Sequence, residues 1–168
     1  SFPTRRSSDL VKNSEPVIAD KMLTFEEARL YAVSLINADR AKNKLPPVTL
    51  DIIASRAAQK HTDEMAANKY MAHVNLTGKK PSQRYTESGG TSAVSENLAL
   101  LWTSETAPIT TDKIYSQNNI RKMQKMFMDE VPPEDLHRVN ILRPEHNKVG
   151  IGLSVNVAKN GYATISFA

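Results

Sequence analysis

The sequence predicts an α+β domain. Three observations carry that reading. Apolar residues recur at helical spacing in three stretches, one short apolar run reads as a buried strand, and the chain ends on two alternating runs separated by Asn160-Gly161. The order helix, helix, strand, helix, hairpin places helices over an antiparallel sheet. A length of 168 residues suits one such domain with a sizeable core. A composition of 40% apolar and 24% charged residues is ordinary for a soluble globular protein.

Each element has its own signal. Residues 1–10, "SFPTRRSSDL", match the in-frame translation of a common sequencing adapter and are set apart from the fold. The natural start, and any export signal with it, is expected to be missing. Residues 11–23 are a lead-in, and the domain proper is 24–168. "TFEE" at 24–27 reads as a capping box, with Phe25, Ala28, Tyr31, Leu35 and Ala38 following as an inner stripe. That helix is expected to end near Asn43, before Pro46-Pro47. A second helix starts around Thr49 or Asp51, with Ile53, Ala54, Ala57, Ala58, His61 and Met65 inward. Its alanines predict close packing against another element. Residues 74–94 read as loop. "SENLALLWT" (95–103) reads as the buried strand and 104–111 as another loop. A third helix is expected over about 112–130, with Ile120, Met123 and Phe127 inward, and Asp135 can cap a short turn before Pro144. Asn-Gly between the last two alternating runs is a strong hairpin signal.

Composition excludes several functions. The absence of cysteine removes a disulfide framework, a thiol nucleophile and any cysteine metal site, and leaves the compartment open. Net charge is +4 with scattered basic residues, which argues against a nucleic-acid groove. No stretch has the apolar length of a membrane span. No G-x-G-x-x-G, P-loop, H-E-x-x-H or G-x-S-x-G occurs.

Candidate residues have competing readings. His61 lies mid-helix on an apolar stripe and reads as a core histidine with a hydrogen-bond partner. His146, in "PEHNK", reads as solvated. His73 follows a helix end; it is either a cation beside the helix dipole or a ligand in a cleft. Glu96 opens the most apolar strand and reads first as its wet end, second as a carboxylate buried against a partner. Glu130 sits at the edge of the third helix's inner face, either as a helix-end charge or aimed at what that face covers.

In order, "HTDEMAANKYMAHVN", "SENLAL", "MFMDE" and "DLHRVNIL...HNKVGIGL" resemble the CAP superfamily of cysteine-rich secretory proteins, antigen 5 and plant pathogenesis-related proteins 1. The bacterial members that lack cysteine are the nearest in kind. The resemblance spans about residues 25–168. His73 in "MAH", Glu96 in the family's "GEN" position, Glu130 three residues after Phe127, and His137 before "RVNIL" match its conserved positions. Ser95 and Leu136 stand where the family pattern has Gly.

The resemblance implies a three-layer α-β-α sandwich with a central antiparallel sheet, and a cleft where His73, Glu96, Glu130 and His137 meet. It implies an exported or cell-surface binding module that holds a divalent metal ion, zinc first, with no organic cofactor. Its ligand would be an extracellular glycan, lipid or peptide, not a nucleic acid. The alternative is a metal-assisted hydrolase using the same four residues, with Glu96 or Glu130 as general base.

Overall fold

A computed structural model describes residues 19–102, 112–155 and 162–167. Residues 1–10, most of the lead-in, the 104–111 connection and the Asn160-Gly161 turn lie outside these ranges.

The chain enters through β1 (Met22–Leu23) and α1 (Phe25–Lys42). The capping box is present in both directions. Glu27 N–H donates to Thr24 Oγ1 at 3.3 Å, and Thr24 N–H donates to Glu27 Oε2 at 2.9 Å. The helix ends at Asn43, as the prolines beyond it predict. Its fully buried residues are Ala28, Arg29, Ala32, Ile36 and Arg40; Phe25, Tyr31 and Leu35 of the expected stripe pack partly buried on the core, and Ala38 is exposed. Arg40 is the unexpected member of this face. It is fully buried and donates to the carbonyls of Pro46 (2.8 Å), Ile141 (2.8 Å), Arg143 (3.0 Å) and His146 (2.9 Å). A guanidinium that satisfies four carbonyls belongs inside, whereas hydropathy alone places it outside.

β2 (Thr49–Leu50) leads to α2 (Ile52–Asn68), capped by Asp51, whose Oδ1 accepts from Ala54 N–H at 2.8 Å. The alanine-rich face packs closely, as expected. A Cβ on Gly150 would stand 2.3 Å from the Ala54 carbonyl carbon, and one on Gly152 2.5 Å from that of Ala58. Segment 150–152 therefore lies backbone against backbone on α2. The 74–94 stretch is not all loop: it contains α3 (Pro81–Glu87). That helix has no apolar stripe to betray it, and its single buried residue is Arg84.

β3 (Asn97–Trp102) is the expected strand. β4 (Tyr115–Ser116) precedes α4 (Gln117–Met128), which buries Ile120, Met123 and Phe127 as its spacing predicts. α5 (Leu136–Ile141) follows Asp135, which forms no side-chain cap bond. β5 (Lys148–Val149) and β6 (Tyr162–Phe167) close the chain.

The strands pair in twos among the described residues: β1 with β4 antiparallel, β2 with β5 parallel and β3 with β6 antiparallel. Among the described residues the strand partner of β6 is β3, and residues 156–161 of the expected hairpin lie outside them. β6 takes β3, from Asn97↔Phe167 to Trp102↔Tyr162, while Gly150 and Gly152 tuck the preceding run beneath α2. An Asn-Gly signal reports a chain reversal. It does not decide which strand offers the longer apolar partner. α2 packs against β6, α4 against β3 and α1 against α4. The result is an α+β sandwich with helices over the β3–β6 pair.

Candidate functional site

The four expected residues fall into two histidine–carboxylate pairs. In the first, His73 Nδ1 lies 2.9 Å from Glu96 Oε1. His73 stands just beyond the α2 C-terminus, where Lys69 in left-handed backbone turns the chain away from the helix. Buried His61 fixes that turn, with its Nε2–H donating to the carbonyl of Ala72 at 2.8 Å. A carbonyl can only accept, so the His61 proton is on Nε2. His61 is therefore the core histidine its stripe predicts, and it anchors the residue next to His73. Desolvation lowers its pKa from the ordinary 6.5.

Glu96 is not at a wet strand end. Its side chain is 3% exposed and meets Arg84 Nη2 at 2.5 Å. The buried charge is paired, as burial requires. Arg84 also donates to the carbonyls of His73 (2.7 Å) and Lys79 (2.9 Å). One guanidinium thus holds both partners of the first pair. Nothing local in the chain signals this role, because the short helix around Arg84 reads as loop.

In the second pair, Glu130 Oε1 bonds His137 Nδ1. Glu130 Oε2 also accepts the backbone N–H of His137 at 3.0 Å and of Arg138 at 3.4 Å. The carboxylate therefore does the capping at the start of α5 that Asp135 does not do. The Phe127 ring stands 4.8 Å from the His137 ring, tilted by 42°. The turn "EVPPEDLHRVNIL" (130–142) thus returns His137 to Glu130, and buried Ile141 anchors it in the core.

Consecutive residues serve the two pairs. Glu96 holds His73, and Asn97 Nδ2 donates to the carbonyl of His137 at 2.9 Å. Asn140 Nδ2 donates to Asn97 Oδ1 at 2.9 Å. Ser95 and Leu136, which replace Gly in the family pattern, need no glycine backbone: the non-glycine residues with positive φ among those described are Lys44 and Lys69.

Each carboxylate accepts from its histidine's Nδ1–H, which leaves Nε2 as the lone-pair nitrogen. Among the described residues neither Nε2 has a hydrogen-bond partner. His73 is 52% and His137 31% exposed in the side chain. No three or more His, Asp or Glu side chains among the described residues group as a ready metal cage. Each imidazole instead keeps a lone-pair Nε2 with a carboxylate behind it, the arrangement that raises the basicity of a histidine nitrogen. Exposed apolar residues flank both pairs, with Met71, Val74 and Leu76 near His73 in the chain and Val131, Leu136 and Val139 near His137.

His146 departs from its sequence reading. It is half-buried, with Nε2 3.2 Å from Ser95 Oγ and Nδ1 3.0 Å from the carbonyl of Asn140. The polar turn "PEHNK" gives no hint of either contact.

No helix among the described residues is long and apolar enough to cross a membrane. Solved structures share the fold. An extracellular protein containing a SCP domain from Bacillus anthracis str. Ames matches with a TM-score of 0.60 at 19% identity, over 88% of this chain and 44% of that one. An outer surface protein from Borrelia burgdorferi matches with a TM-score of 0.64 at 16% identity, over 88% of this chain and 95% of that one. The chain thus spans less than half of the Bacillus anthracis protein. No curated protein matches the sequence. The model of the cysteine-rich secretory protein family, CAP, matches residues 33–167. That match takes in all four residues of the two pairs, and with it the chain, although free of cysteine, belongs to the CAP family.

Proposed function

We propose that the chain is an exported or cell-surface binding module whose His73 and His137 present Nε2 to a divalent metal ion, zinc first, with Glu96 and Glu130 orienting the rings. The observation that carries the reading is the pairing of each partly exposed imidazole with its own carboxylate through Nδ1. Such a carboxylate fixes ring orientation and tautomer and makes the other nitrogen a better donor. When bound, the ion supplies a Lewis-acidic anchor for an oxygen of the ligand. The exposed apolar residues flanking both histidines in the chain suit a ligand with an apolar part, such as a lipid or an apolar peptide.

Binding is favoured over hydrolysis at these pairs for a stated reason. Both carboxylates already accept an imidazole N–H, and Glu96 is also tied to Arg84. Neither is a spare general base. Export is proposed by analogy with the extracellular and outer-surface proteins of like fold.

Histidine side-chain NMR with and without Zn²⁺ tests the reading. The Nε2 resonances of His73 and His137 shift together, and those of buried His61 stay in place. If neither His73 nor His137 responds, the proposal is withdrawn.

A further inference from the structure

We propose that Ser95 and His146 form a nucleophile–base pair on the wall of a small apolar cavity, and that the chain hydrolyses esters of short carboxylic acids there. Neither residue belongs to the two histidine–carboxylate pairs, so this site stands apart from the metal reading.

The tautomer is set by geometry. His146 Nδ1 lies 3.0 Å from the Asn140 carbonyl, which can only accept, so Nδ1 carries the proton. Nε2 is then the unprotonated nitrogen, and Ser95 Oγ–H donates to it at 3.2 Å. A base within hydrogen-bond reach of a hydroxyl, itself oriented by a third group, is the arrangement that activates a serine. Here the orienting group is a backbone carbonyl, and its segment is held firmly. The buried Arg40 guanidinium donates to the carbonyls of Ile141, Arg143 and His146 itself, at 2.8, 3.0 and 2.9 Å. That clamp fixes the 140–146 turn, and Arg40 itself reaches the cavity wall.

Ser95 and His146 line the same cavity, whose volume is about 130 Å³. Val48, Val94, Phe127, Ile141 and Val149 supply much of its wall. Engineered apolar cavities of about 150 Å³ take up benzene, so this one suits an acyl chain of about two to four carbons. Tyr85 also lines it, and among the described residues its hydroxyl has no hydrogen-bond partner. That hydroxyl is a donor available to a developing oxyanion.

The chemistry balances with water as the one co-reactant. Ser95 Oγ attacks the ester carbonyl carbon and its proton passes to His146 Nε2. The bond to the leaving alcohol breaks, and His146 returns the proton to that oxygen. Water then attacks acyl-Ser95 and gives a proton to Nε2. The acyl–Oγ bond breaks, the acid leaves, and Ser95 regains its proton from His146.

The test uses the full chain with EDTA present, p-nitrophenyl acetate, butyrate and decanoate as substrates, and a fluorophosphonate probe read by peptide mass spectrometry. The probe labels Ser95, the two short esters turn over at least ~10-fold faster than decanoate, and Ser95→Ala or His146→Gln lowers turnover by at least ~100-fold. Labelling of the wild-type protein needs no variant to fold. Absence of label on Ser95, turnover unchanged in Ser95→Ala, or turnover abolished by EDTA would each overturn the proposal.

Discussion

Arg84 and Glu96 meet at 2.5 Å with 8% and 3% of their side chains exposed. The pair decides where His73 stands, because Glu96 bonds its ring and Arg84 its carbonyl. Removing one partner strands a buried charge, which costs about 3–5 kcal/mol. Arg84→Ala should therefore lower the urea midpoint markedly, with the unfolding slope unchanged. A variant as stable as wild type would show that water reaches Glu96 freely.

Arg40 binds four carbonyls from two distant parts of the chain. A lysine there has the charge but not the fork. Arg40→Lys should cost at least ~2 kcal/mol, since each buried acceptor left unpaired costs about 1–3 kcal/mol. Hydrogen exchange should rise across 140–148 before it rises in α2. Uniform exchange would contradict the clamp.

Gly150 touches the α2 backbone, which cannot move aside as a flexible side chain can. Gly150→Ala should destabilise by about 1–3 kcal/mol or more. Thermal unfolding of this variant beside wild type checks it, and equal midpoints would place segment 150–152 farther from α2.

His61 is buried, and desolvation lowers its pKa below the ordinary 6.5. The unfolded chain then binds a proton that the folded chain resists. The stability His61 contributes is complete above pH 6.5 and is lost as pH falls from there through the depressed folded value. Urea midpoints across that window should fall more steeply for wild type than for His61→Gln. Parallel curves would mean that His61 charges freely in the fold.

The helices were legible where local chemistry decides them. The Thr24–Glu27 box and the Ile120, Met123, Phe127 stripe read directly from spacing. What stayed hidden depends on distant partners. Arg40 and Arg84 drew no notice, because nothing nearby in the chain reveals the carbonyls and the carboxylate they meet. The β6 pairing was hidden for the same reason: Asn160-Gly161 is local, and β3 lies some sixty residues earlier. Of the candidate site, the residue types and their order were legible, but not that the four residues pair off through Nδ1. His146 has no local signature at all, and Ser95 drew notice only as a departure from glycine.

The central claim is that His73 and His137 act together on one ion. Calorimetry of Zn²⁺ into wild type, each single His→Ala variant, the double variant and Glu130→Gln tests it directly. The account predicts one ion per wild-type chain. Either single histidine variant should weaken binding at least ~10-fold, and loss of the orienting carboxylate in Glu130→Gln about 10–100-fold. The double variant should give no comparable heat. The same isotherm for wild type and the double His73→Ala, His137→Ala variant would contradict it.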